Sequence, residues 1–134
     1  IDNALRTARE GATAYPDNAV LQNNLAVLLE ASGDVQAAEN MLRSALAEDA
    51  GLPQVSKNLG DVLYRNGRYD EAAEAYERAA KLNPELGDDL YFKLGNIAYK
   101  RRDYVRARES WAQATTLNPG HQLARANLEM LDLS

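Results

Sequence analysis

Apolar residues along this chain recur at helical spacing and are broken at short polar turns. The clearest stretch runs from Pro53 to Pro84. Its first half carries Leu59-Gly60 and Leu63. A turn, Arg65-Asn66-Gly67-Arg68, follows, and the second half carries Tyr69, Ala72, Tyr76 and Ala79. Spacings of three and four residues put each set on one helix face. The stretch therefore predicts two amphipathic helices joined by a tight turn. Large and small positions face each other across it: Gly60 and Ala72 allow close approach, and Leu63 and Tyr76 fill the space around them. Pro53 suits a first helical turn, where no intrahelical donor is lost.

The same pattern occurs three times. Leu25-Ala26, Leu59-Gly60 and Leu94-Gly95 stand 34 and 35 residues apart. The turn Gly33-Asp34 matches Gly67-Arg68 and Arg102-Asp103. Val35, Tyr69 and Tyr104 align, as do Ala38, Ala72 and Ala107. Leu42, Tyr76 and Trp111 align, and so do Ala45, Ala79 and Ala114. Pro84 and Pro119 close the second and third units, and Ala50 takes that place in the first. Residues 1–16 repeat the second-helix pattern alone, with Ile1 opposite Tyr69, Ala4 opposite Ala72 and Pro16 opposite Pro84. Residues 122–134 repeat the first-helix pattern alone. There Glu129 and Asp132 stand where Gly60 and Leu63 stand, which predicts a capping helix with a polar outer face. The expected organisation is one domain over 1–134: an unpaired second helix (1–16), repeats at 19–52, 53–87 and 88–121, and a cap (122–134). The parent protein is expected to continue upstream and to end near Ser134.

An aromatic residue, Leu-Gly, Ala, an aromatic and Pro at fixed offsets resemble the tetratricopeptide repeat, a 34-residue helix-turn-helix unit. Tyr91-x-x-Leu94-Gly95 matches that pattern well, and the resemblance covers nearly the whole chain. Ala26 departs from it by replacing Gly. Leu29, Leu63 and Ala98 replace Tyr, Arg102 replaces the turn Gly, and one extra residue lies near Gly87. The resemblance implies an all-α fold, an α-α superhelix built as a right-handed solenoid of hairpins with about eight helices. It also implies that the first helices of successive repeats line a concave inner face that binds peptides.

Composition narrows the chemistry. Apolar residues are 46% and charged residues 26%, as in folded soluble chains. There are no cysteines, which removes disulfides and thiolate metal sites. No run approaches the roughly 20 apolar residues of a membrane span, and Ile1-Asp2-Asn3 does not open a signal peptide, so the expected location is the cytoplasm. A net charge of −5 argues against general nucleic-acid binding. No catalytic constellation, cofactor motif or metal set is visible. The one histidine, His121, sits in the Asn118-Pro119-Gly120 loop and reads as a solvated or capping residue. Asp70-Glu71 and Asp88-Asp89 fall at helix starts, where they complement the helix dipole. Lys100, Arg101, Arg102, Arg106 and Arg108 cluster near the third turn. They read first as a solvated edge, with docking of an anionic partner as the sharper alternative.

By position in the repeat, the inner-face residues are Asn23, Val27 and Glu30 in the first unit, then Lys57, Asp61 and Tyr64 in the second. Phe92, Asn96 and Tyr99 follow in the third, and Ala126, Met130 and Leu133 in the cap. Spacings of four and three keep each set on one helix face. Amides suit an extended peptide backbone, and Tyr, Phe and Met suit varied apolar side chains. Chaperone-binding members of the family hold a C-terminal carboxylate with Lys, Asn, Asn, Lys and Arg. The matching positions here are Lys57, Asp61, Lys93, Leu123 and Asn127, or, one repeat earlier, Asn23, Val27, Asn58, Asp89 and Lys93. Few of these fit, and Asp61 and Asp89 would repel a carboxylate, so no chaperone-tail partner is expected. The expected function is a non-catalytic scaffold for a protein or peptide. The alternatives are a regulatory domain of a larger, enzymatic protein and self-association through the terminal helices.

Overall fold

The computed structural model describes residues 2–133; Ile1, which the alignment pairs with Tyr69, and Ser134 lie outside them. Eight α-helices and no strands are present among the described residues: α1 (Asp2–Ala14), α2 (Ala19–Ala31), α3 (Val35–Glu48), α4 (Pro53–Arg65), α5 (Tyr69–Leu82), α6 (Asp88–Lys100), α7 (Tyr104–Leu117) and α8 (Gln122–Asp132). The fold is an all-α helical repeat. The chain divides into two compact units, one up to Leu82 and one from Asn83.

The turns explain why the hairpins are alike. After α2, α4 and α6 the chain passes through a left-handed residue: Gly33 at φ 92°, Gly67 at φ 76° and Arg102 at φ 62°. Each turn closes with the same two bonds. The N–H groups of Gly33, Gly67 and Arg102 donate to the carbonyls of Glu30, Tyr64 and Tyr99. Those of Asp34, Arg68 and Asp103 donate to Leu29, Leu63 and Ala98. This pairing satisfies the last orphan carbonyls of a helix and reverses the chain. The backbone at Arg102 therefore follows the glycine turns, although arginine has a Cβ that disfavours this region.

Helix starts follow the sequence closely. The side chains of Asn18, Asp34, Asp103 and His121 cap α2, α3, α7 and α8 by accepting the N–H groups of Leu21, Ala37, Arg106 and Ala124. Pro53 opens α4, and Gly87 precedes α6 without a side-chain cap.

In the first unit α2 pairs with α3 and α4 with α5, while α1 lies on α2 and α3 on α4. Leu25, Leu29, Leu42, Val55, Leu59, Val62, Leu63 and Tyr76 are buried there. In the second unit α6 pairs with α7, and α8 lies on α7. Its core joins Ala98, Ala107, Trp111, Ala114 and Ala124, with Tyr91, Phe92, Leu128 and Leu131 packed against them.

Gly60 and Gly95 serve the aromatic rings rather than a close approach of two backbones. A Cβ on Gly60 would lie 2.7 Å from the Tyr76 ring, and one on Gly95 would lie 2.3 Å from Trp111. In the first hairpin Leu42 replaces the aromatic residue, and Ala26 occupies the glycine position.

Candidate protein-binding site

In the first unit the candidate face is carried by α2 and α4. These two helices are tied directly: Asn58 Nδ2 donates to Asn23 Oδ1 at 3.0 Å. Val27 stands one turn further along α2 and is 49% exposed. On α4, Lys57 Nζ lies 2.7 Å from Asp61 Oδ2, one helical turn away. The Tyr76 hydroxyl donates to the other Asp61 oxygen at 2.6 Å. Tyr64 packs edge-on against Tyr69, ring centres 5.4 Å apart, and its ring also lies near Tyr76. Arg65 reaches Glu30 at 3.7 Å.

In the second unit the candidates sit on α6 and α8. Asn96 Oδ1 accepts from Trp111 Nε1 at 3.1 Å, and the same indole N–H lies 3.2 Å from the Phe92 carbonyl. Phe92 is half-buried, with its ring 4.7 Å from that of His121. Tyr99 lies against both Trp111 and Tyr104 and lines an open depression of about 400 Å³ with Val105, Arg108 and Leu131. Met130 on α8 is exposed.

Val27, Asp61 and Asn96 occupy one repeat position, and Leu42, Tyr76 and Trp111 lie fifteen residues further on. Where the second residue carries a donor, in Tyr76 and Trp111, the first is an acceptor. Where the second is Leu42, the first is Val27. A buried phenol or indole needs a partner, and an apolar pair needs none. Asp61 and Asn96 thus satisfy a buried aromatic residue in their own hairpin, beyond any part in binding. The fifteen-residue pairing of acceptor with aromatic donor is the signal in the sequence that carries this.

Electrostatics add a cluster that the helix-dipole reading passed over. Glu39 on α3 is buried. Its carboxylate meets Arg43 Nε at 2.9 Å and Arg68 Nη1 at 2.7 Å. Glu71 bonds both arginines in turn. The Arg68 hydrogen bond holds the Glu71 carboxyl below the usual carboxylate range, assisted by the charges of Arg68 and Arg43 and opposed by desolvation. The sequence signal was Glu39 itself, a charge at the position held by Ala73 in the next repeat. In the basic cluster, Arg106 pairs with Asp103 at 3.5 Å and Arg108 bonds Asp132. His121 Nδ1 accepts the Ala124 N–H and so acts as a helix cap. Among the described residues no group of acidic, cysteine or histidine side chains is arranged to hold a metal. No described helix is long and apolar enough to cross a membrane.

Models of the tetratricopeptide repeat match residues 57–122 and 19–47. The chain belongs to the tetratricopeptide repeat family. Solved structures agree with its fold. MamA superposes with a TM-score of 0.87 at 22% identity, over 97% of this chain and 75% of that one. YrrB, described as a repeat protein of this family with an unusual peptide-binding site, gives 0.88 at 23% identity, over 96% and 66%. The first repeat domain of Spaghetti (RPAP3), solved with the HSP90 peptide SRMEEVD, gives 0.78 at 16%, over 87% and 91%. At these identities the likeness concerns the fold. No curated protein matches the sequence. Tetratricopeptide repeats are in general interaction modules without catalysis, and this chain shares that architecture.

Proposed function

We propose that this tetratricopeptide repeat chain is a non-catalytic scaffold that binds a peptide or protein segment on the faces of its first helices. In the first unit the face comprises Asn23, Val27, Lys57, Asp61 and Tyr64 on α2 and α4; in the second it comprises Phe92, Asn96, Tyr99 and Met130. The observation that carries the reading is the exposed Val27 beside the Asn23–Asn58 amide pair. An apolar contact flanked by amides is what an extended peptide needs: side-chain burial plus partners for its backbone. YrrB and Spaghetti support the reading, since peptide binding is attached to structures of this fold. Asp61 and Asp89 disfavour an acidic C-terminal tail as the ligand, and no nucleic-acid or membrane partner is proposed.

A displayed peptide library selected on the protein tests this, with Val27→Arg and Lys57→Glu as counter-targets. Both side chains are at least partly open to solvent, so these changes leave the core intact. Selected peptides should lose at least about tenfold in affinity on either variant. Peptides that bind both variants as tightly as the parent would place the site elsewhere.

A further inference from the structure

The face of the first unit contains a small cavity, of about 70 Å³, between α2 and α4. Ala26, Val27, Leu42 and Val62 are its apolar lining, and Asn58, Asp61 and Glu30 are its polar lining. It sits in the hairpin where Leu42 replaces the aromatic side chain of the other two, and Leu42 is one of its walls. Its charged lining is entirely acidic. Asp61 is engaged by Lys57 and Tyr76. Glu30 is placed differently. One of its oxygens faces Arg65 at 3.7 Å, beyond hydrogen-bond reach, and the other, Oε2, is buried with no hydrogen-bond partner. A buried carboxylate oxygen without a donor is costly, and that cost is removed by any ligand that supplies one.

We propose that this cavity receives the side chain of a lysine from the bound partner, its ammonium donating to Glu30 Oε2 and its methylenes lying on Val27 and Leu42. The chemistry selects this occupant. An acidic side chain would meet two carboxylates, and an apolar one would leave Glu30 without a donor. A volume of about 70 Å³ admits the end of one such side chain. The inference deepens the scaffold reading by naming the chemistry of one partner residue, and it rests on that reading for the partner alone.

The probe is Nα-acetyl-lysine methylamide, titrated into the methyl-labelled protein and followed by NMR. The norleucine analogue, which lacks the ammonium group, is the control. The lysine probe should shift the Val27 and Leu42 methyl signals saturably, with a Kd on the order of millimolar. Glu30→Gln should weaken it at least about tenfold. Ala26→Gly/Leu42→Phe, which fills the cavity with an aromatic ring that needs no acceptor while keeping Glu30, should abolish the Val27 shift. Absent shifts, equal shifts with the norleucine analogue, or binding unchanged in either variant would overturn the proposal. Library peptides that dock on this face without a basic residue and ignore Glu30→Gln would overturn it while leaving the scaffold reading in place. Lysine-probe binding without any peptide binding would uphold the cavity and overturn the scaffold.

Discussion

Replacing Gly95 by alanine tests the packing argument most directly. A Cβ there would sit 2.3 Å from Trp111 Cδ1 and 2.4 Å from Nε1, whereas carbon atoms pack at about 3.5–4.0 Å. The ring must therefore move by about an ångström. It has nowhere to go, since Trp111 is only 2% exposed, and its N–H is held by Asn96. Overpacking of this kind costs about 1–3 kcal/mol, and disturbing the indole hydrogen bond adds about 1 kcal/mol. Against this, alanine favours the helix interior over glycine by about 1 kcal/mol. The net expectation is a loss of about 2 kcal/mol, which lowers a urea midpoint by about 1 M. Trp111 is the sole tryptophan, so its fluorescence reports the site itself while circular dichroism reports the helices. A midpoint equal to or above that of the parent would refute the argument, because helix propensity alone would produce it. A second arm adds Trp111→Leu and Asn96→Val, recreating the Ala26, Val27 and Leu42 combination. In that background alanine at 95 should be neutral or stabilising, with a coupling of about 2 kcal/mol between the sites.

Other consequences can be measured in the same way. Gly11→Ala should stabilise the chain by about 0.5–1 kcal/mol, because its Cβ would meet Leu21 at an ordinary 3.9 Å; a lower urea midpoint would show that α1 packs differently. Arg102→Gly should raise the stability by up to about 1 kcal/mol, and with it the urea midpoint, by relieving the left-handed backbone at φ 62°, whereas Arg102→Ala should bring no gain. Acid should weaken the parent partly through Glu71, whose carboxyl the Arg68 hydrogen bond holds low in the folded state. A folded pKa below the unfolded one means that the stabilisation is present above the unfolded carboxylate value and is lost as pH falls through the folded one. Glu71→Gln should therefore lose less stability than the parent between about pH 5 and pH 3, and identical acid profiles would rule this out.

Much of the local architecture was legible because it depends on local rules. Apolar positions three and four apart place one face of each helix inward, and glycine at 33 and 67 marks the left-handed residue of each turn. Arg102 was harder to read, since its side chain disfavours the conformation that the turn bonds impose. Asn18, Asp34, Asp103 and His121 precede their helices as side-chain caps do. The candidate face was legible as a set of repeat positions, but the work done by each residue was not. Asp61 and Asn96 look alike as polar inner-face residues, yet each accepts a hydrogen bond from a buried aromatic residue on the next helix. Glu71 looked like a companion of the helix dipole, and it bridges two arginines, one of them from the preceding hairpin.

The sequence by itself determined the helices, their register and the repeat, because hydrophobic period and turn chemistry act over a few residues. Tertiary structure alone decided which polar groups are already satisfied and which remain open. Pairings such as Asn23 with Asn58, Glu39 with Arg68 and Asp61 with Tyr76 depend on interhelical distance and side-chain rotamer, which no local pattern encodes. The cavity beside Leu42 belongs to the same class. Leu42, smaller than the aromatic residues of the other hairpins, is one of its walls, and its Glu30 oxygen lacks a donor. Only the packing of α2 against α3 and α4 brings these two features together.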